Sequence, residues 1–278
     1  MEKIKKLRKL LNLNHLDGYI VPKNDEFFNE NVQINKDRLK KISNFTGSAG
    51  FAIFLKKENY LFVDGRYTLQ AYKQCKEKFK IITLPSKSFG AILKKKLKIG
   101  FDPKLYTSNL LKLYFKSSNF QLISIKDNLI DRVTKIEKTS IKKRAWLIDD
   151  KNSGRNHFLK INDLKKILIQ KKMDMVFISA PECVNWLINM RGADSEFSPI
   201  INAQMILNLR GSSILFIDKK KISKSIRKKL KDIIIADISF LDIYLKKIKN
   251  KKVLIDKLSC SIYYENILKQ NNFVRNEE

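Results

Sequence analysis

Residues 43–74 read SNFTGSAGFAIFLKKENYLFVDGRYTLQAYKQ. The apolar runs Phe51–Leu55 and Tyr60–Val63 are each of strand length, and the polar loop between them is of hairpin length. A glycine-rich turn precedes the first run and a helical pattern follows the second. The stretch therefore predicts turn, buried strand, hairpin, buried strand and helix. Ser48, inside Gly47-Ser48-Ala49-Gly50, invites two catalytic readings, and both fail on chemistry. A phosphate cradle draws on free amides at a helix N-terminus, whereas Phe51–Leu55 continues as a strand. A serine nucleophile needs a base, most often histidine, and His15 and His157 are the only two histidines of the chain. What remains is a tight turn entering a core strand.

The same pattern returns in the second half. Leu7–Asp25 (LRKLLNLNHLDGYIVPKND) lines up without gaps on Leu164–Glu182 (LKKILIQKKMDMVFISAPE), each a basic amphipathic helix, a short loop and a buried strand. Asn44-Phe45-Thr46-Gly47 is echoed by Asn189-Met190-Arg191-Gly192, and LFVDG at 61–65 by LFID at 215–218. KIGFDPKLYTSNLL at 98–111 matches KKVLIDKLSCSIYYENIL at 251–268, with Asp102 opposite Asp256. The repeat unit is far longer than that of a solenoid, so the sequence predicts two duplicated globular domains.

With 278 residues the chain can hold two cores. The expected domains are 1–140 and 155–278, separated by the polar segment Lys135–Gly154, in which only Trp146 is expected to make core contacts. Helical runs alternate with strands of five or six residues, the α/β signature, and the hairpin at 51–63 makes each sheet mixed. The fold class is thus α/β, with two tandem domains, each a mixed sheet flanked by helices. Strands 51–55 and 201–207 are expected to be interior, and the Asn44 and Asn189 turns to occupy equivalent places.

Net charge is +29, which raises the prospect of an anionic partner. Only ten of the 57 basic residues are arginine, however, and the lysines lie along nearly every helix instead of forming a stripe. Base readout and bidentate phosphate recognition favour arginine, so solvated faces and an AT-rich coding bias account for the charge better than nucleic acid does. Cys75, Cys183 and Cys260 form neither a disulfide framework nor a zinc pattern, which fits a reducing cytoplasm. The N-terminus lacks a signal-peptide h-region and is read as a first helix with Ile4, Leu7, Leu10 and Leu11 facing inward. No stretch is apolar enough to span a membrane. His15 and His157 lack partner ligands and are read as surface or capping residues.

Several of these segments carry a resemblance. Asn44–Gly50 (NFTGSAG), Val63–Ala71 (VDGRYTLQA), Gly18–Pro22 with Asp25-Glu26, Gly100–Pro103 and Lys126–Asp131 resemble, in order, the first domain of the cytosolic-type Xaa-Pro aminopeptidases of the creatinase/prolidase (M24) family. Asn185–Asp194 (NWLINMRGAD), followed by Ser198-Pro199, resembles the second domain. The resemblance implies a third, C-terminal pita-bread domain that holds two divalent metal ions, usually manganese, by two aspartates, one histidine and two glutamates. Glu278 falls about where such enzymes lead into that domain. No catalytic residue, metal ligand or cofactor is therefore expected within the chain, and it is expected to be inactive alone.

The resemblance further implies that the two domains wall off the cleft to short Xaa-Pro peptides, pack on the catalytic domain and take part in a homodimer. Arg191, Asp194 and Arg66 are the cleft candidates. Arg191 is placed to meet a substrate carboxylate or carbonyl, against a plainer reading as an ion pair with Asp194 that stabilises the turn. Arg66 with Asp64 is weighed the same way. The alternative function is a stand-alone basic α/β module that binds nucleic acid or serves as the partner subunit of a peptidase.

Overall fold

The computed structural model describes residues 2–84, 96–134 and 144–277. It divides into two compact units, Met1–Glu26 with Val32–Thr139, and Phe27–Asn31 with Ser140–Glu278. Six strands form the sheet of the first: β1 (Gly18–Pro22), β2 (Phe51–Leu55), β3 (Asn59–Asp64), β4 (Lys80–Leu84), β5 (Leu97–Phe101) and β6 (Phe120–Ser124), in the order β4-β3-β2-β1-β5-β6. The pair β1–β2 and the hairpin β2–β3 run antiparallel, while β3–β4, β1–β5 and β5–β6 are parallel.

In the second unit a two-residue strand, β7 (Trp146–Leu147), comes first and β8 (Met175–Ile178) follows. After β9 (Met190–Arg191) come β10 (Ala203–Asn208), β11 (Ser213–Ile217), β12 (Ile233–Asp237), β13 (Lys252–Asp256) and β14 (Phe273–Glu277). The sheet order is β12-β11-β10-β8-β13-β14. With β8 taken as the first strand and β10 to β14 as the second to sixth, this is the order of the first sheet, and the parallel and antiparallel pairings also agree. Two separate mixed sheets of the same topology are what the repeat predicts. Strands β2 and β10 are interior in their sheets, as their apolar composition requires.

Local chemistry sets the elements. In helix Glu2–Leu13, Ile4, Leu7 and Leu11 are buried while the intervening lysines face water, and Leu10 is half-buried. Asp37 caps helix Arg38–Ser43 by accepting from the Lys40 amide at 3.0 Å, and Asn44 ends it in the left-handed region at φ 69°. Asn189 follows helix Pro181–Leu187 with φ 52°, at the equivalent place in the second unit. In the second sheet alternate residues serve opposite faces: Met175 and Phe177 of β8 belong to one core cluster and Val176 to the other. Covering both faces makes these strands read as continuous apolar runs.

One expectation is corrected here. Trp146 is 46% exposed, and it is Ala145 (7%) and half-buried Leu147 that reach the second core. The β7–β9 pairing sets Trp146 opposite Arg191 and Leu147 opposite Met190, which brings residues ahead of position 155 into the second unit. Of the segment Lys135–Gly154, residues 135–143 lie outside the described residues.

Candidate functional site

Each turn singled out in the sequence leads from the first helix after a central strand towards the next strand. In the first unit the turn is held by side-chain hydrogen bonds from residues 67–74. Thr46 donates its amide to Gln74 Oε1 at 3.0 Å, and its hydroxyl accepts from Gln70 (2.6 Å) and Gln74 (2.8 Å) of helix Thr68–Cys75. Ser48 Oγ shares a 2.5 Å hydrogen bond with the Tyr67 hydroxyl, and β2 follows. Its partner is thus a phenol rather than a histidine, in keeping with a structural turn. A Cβ on Gly50, at φ +143°, would sit 2.6 Å from the Phe62 carbonyl oxygen, so only glycine fits there.

Arg66 closes a bidentate pair on Asp64, Nε to Oδ1 at 3.2 Å and Nη2 to Oδ2 at 2.7 Å. Hydrogen bonding to Arg66 lowers the Asp64 carboxyl below its ordinary range. With the Arg66 side chain 75% exposed, the pair is a local clasp on the turn.

In the second unit the expected Arg191–Asp194 ion pair is not formed. Asp194 is buried; its Oδ1 accepts from Lys221 Nζ at 2.5 Å and its Oδ2 from the Asn202 amide at 2.8 Å. The carboxylate thereby ties the loop before β10 to the 3-10 turn Lys219–Lys221. Arg191 instead donates from Nη1 to the carbonyls of Asn185 (3.1 Å) and Met190 (2.8 Å), with no carboxylate partner among the described residues. Sequence proximity suggested the pair, but the Asp194 carboxylate is taken by Lys221 and the Asn202 amide.

Two residues shape the surroundings of Arg191: Asn185, whose carbonyl accepts from it, and Lys160, a neighbouring like charge. Asn185, fully enclosed, donates to the carbonyls of Pro181 (2.6 Å) and Ile201 (2.8 Å) and accepts from the Ile201 amide (3.0 Å). Lys160 Nζ donates to Asn189 Oδ1 (2.6 Å) and the Trp186 carbonyl (2.8 Å), and stands 4.2 Å from the centre of the Trp186 ring. Burial, then the neighbouring Arg191 charge, lowers its pKa. Sequence reading missed Lys160 because one lysine among so many carries no signal.

Gly192 is needed for a different reason: a Cβ there would lie 2.5 Å from Ile201 Cβ. Gly192→Ala is expected to destabilise the second unit by about 2 kcal/mol through overpacking. Both tryptophans, Trp146 and Trp186, lie in that unit, so urea titration followed by tryptophan fluorescence reads it directly.

The first unit holds a buried ionic cluster that spacing did not reveal. Arg38, almost fully enclosed, donates to Asp131 through Nε (2.8 Å) and Nη2 (2.7 Å), and from Nη2 to Glu26 Oε1 (2.7 Å). Burial pushes the Glu26 carboxyl up, but Arg38 and Lys36 outweigh it and hold the group at about 2. Nearby, Lys23 pairs with Asp37 at 2.6 Å. Glu26 and Asp131 fall in segments that carry the family resemblance, but their joining through Arg38, 93 positions from Asp131, is a tertiary fact.

Among the described residues no group of three His, Cys, Asp or Glu side chains is placed to hold a metal ion, and no helix is long and apolar enough to cross a membrane. His15 sits in the turn after the first helix at φ 52°, and His157 opens helix His157–Gln170.

Comparison with known proteins agrees with this architecture. Two models of the creatinase/prolidase N-terminal domain match residues 3–133 and 136–278. A probable Xaa-Pro aminopeptidase P of Laccaria bicolor is 31% identical over 280 residues, covering 94% of this chain and 44% of the relative. Xaa-Pro aminopeptidase 1 of Dictyostelium discoideum is 28% identical and covers 95% of this chain and 45% of its own length. The chain thus spans less than half the length of these curated relatives. In fold, the X-prolyl aminopeptidase of Caenorhabditis elegans, described as a cytosolic enzyme with a di-nuclear active site, superposes with a TM-score of 0.88 at 24% identity over the whole of this chain and half of that one. With both halves matched and the fold shared throughout, the chain belongs to the creatinase/prolidase N-terminal domain family and corresponds to the N-terminal region of Xaa-Pro aminopeptidases.

Proposed function

We propose that this chain is the non-catalytic part of a cytoplasmic, metal-dependent Xaa-Pro aminopeptidase, an enzyme that releases an N-terminal residue preceding proline. Its role is to wall the substrate cleft and support a homodimer, while a C-terminal domain outside this sequence supplies the chemistry. The observation that carries the reading is the match of both halves to the creatinase/prolidase N-terminal domain. The two divalent ions of such an enzyme, manganese in this reading, do not fit the described residues: neither histidine belongs to a carboxylate cluster, and no group of ligands converges. No step of the reaction is routed through this chain.

Within that role the three cleft candidates separate. Asp194 is committed to Lys221 and the Asn202 amide, and Arg66 to Asp64, so both act as supports. Arg191 has no carboxylate partner among the described residues and is the group suited to a peptide carboxylate or carbonyl. The test joins this chain to the catalytic domain of the Laccaria relative and compares Arg191→Ala with the parent on a Xaa-Pro tripeptide. Loss of a contact made equally to substrate and transition state raises KM about tenfold with little change in kcat. An unchanged KM would remove Arg191 from the cleft.

A further inference from the structure

The two units differ in one place where their duplication says they should agree. In the first, β6 is followed by the short helix Leu129–Val133, whose Leu129 and Ile130 are buried (1% and 0%) in the cluster with Leu7, Tyr19 and Val21. Asp131 of that helix is the residue gripped by Arg38. In the second unit β14 is the last described strand, and a cavity of about 680 Å³ lies open against the sheet.

Equivalent residues line the two places. Leu164, Ile167, Val176 and Ile178 border the cavity, and they align with Leu7, Leu10, Tyr19 and Val21. Leu254, also on its wall, pairs with Val176 as Gly100 pairs with Tyr19, so a large and a small side chain have exchanged strands while the floor is kept. Cys183 of the cavity wall stands where Arg38 stands in the first unit, counted back from Asn189 and Asn44. Glu277, the end of β14, is at the cavity's edge, so chain leaving that strand emerges beside the opening.

We propose that this groove is the seat of a short helix that continues from β14 in a longer form of the chain. Register locates its anchors. Ile123 lies beside Gly100 as Arg275 lies beside Leu254, so Leu129 and Ile130 correspond to the third and fourth positions past Glu278. The occupant therefore carries adjacent apolar side chains there. The curated relatives, more than twice as long as the matched portion, have the chain length to supply it.

Cys183 is the exposed cysteine of the three and reports on the groove directly. Three proteins are compared for its rate of alkylation by a maleimide: the 278-residue chain, the chain extended after Glu278 by a copy of residues 127–134, and the same extension with serine at the positions copying Leu129 and Ile130. The apolar extension is expected to slow labelling at least about tenfold relative to the serine extension, because a seated helix must open before the thiol reacts. Equal rates in the two extended proteins, whether slowed or not, would overturn the proposal. Labelling of the unextended chain that slows as its own concentration rises would assign the groove to a second copy and also overturn it.

Discussion

Replacing Arg38 with methionine is expected to destabilise the first unit by about 3 kcal/mol at neutral pH, since breaking a buried pair leaves its partners uncompensated. Glu26 and Asp131 would lose three hydrogen bonds of 2.7–2.8 Å, and both carboxylates stay partly out of water, with side chains 22% and 25% exposed. The same cluster sets a pH dependence. Glu26 is held at about 2 against an ordinary 4.5, so the folded state binds its proton less readily than the unfolded one. The stabilisation is then complete above pH 4.5 and is lost as the pH falls from there towards 2, about 3 kcal/mol in all. In Arg38→Met most of this acid sensitivity should vanish. Because both tryptophans are in the second unit, the measurement is hydrogen exchange of amides in β1 and helix Arg38–Ser43 at pH 7 and pH 3. Exchange unaltered by the substitution at pH 7 would mean that the cluster contributes nothing.

Asp194→Ala is the second large effect, again about 3 kcal/mol, and it falls on the other unit. The side chain is 1% exposed, and its removal strands Lys221 Nζ and the Asn202 amide. Asp194→Asn keeps an acceptor for one of them and should lose roughly half as much. Arg66→Ala removes an ion pair of similar distance at the open surface of the first unit and should leave hydrogen exchange of the β3 amides at pH 7 unchanged. Tryptophan fluorescence in urea separates the Asp194 variants, and equal midpoints for Asp194→Ala and the parent would refute the structural role given to Asp194.

Much of the fold could be read from sequence because its strands are buried on both faces. Runs such as Phe51–Leu55 and Ser213–Ile217 announce themselves by composition, and their recurrence in the same order revealed the duplication. Side-chain partnerships were less legible. Asp194 meets Lys221, 27 positions away, where proximity pointed to Arg191. Arg38 joins Glu26 to Asp131 through chain folding that no spacing encodes. Trp146 shows the same limit at small scale: the strand's alternation decided that its neighbours Ala145 and Leu147 face the core. The pairing of Arg66 with Asp64 was legible, because a two-residue separation across a turn leaves the side chains little else to meet.

The most direct test of the central claim, that this chain is the non-catalytic region of a peptidase, is hydrolysis of a Xaa-Pro tripeptide by the purified 278-residue chain with and without added manganese. Metal-activated water is the nucleophile expected of the whole enzyme, and the described residues offer no ligand set for it. No turnover is predicted in either condition. Turnover that persists through repurification and disappears on substitution of a residue of this chain would contradict the account.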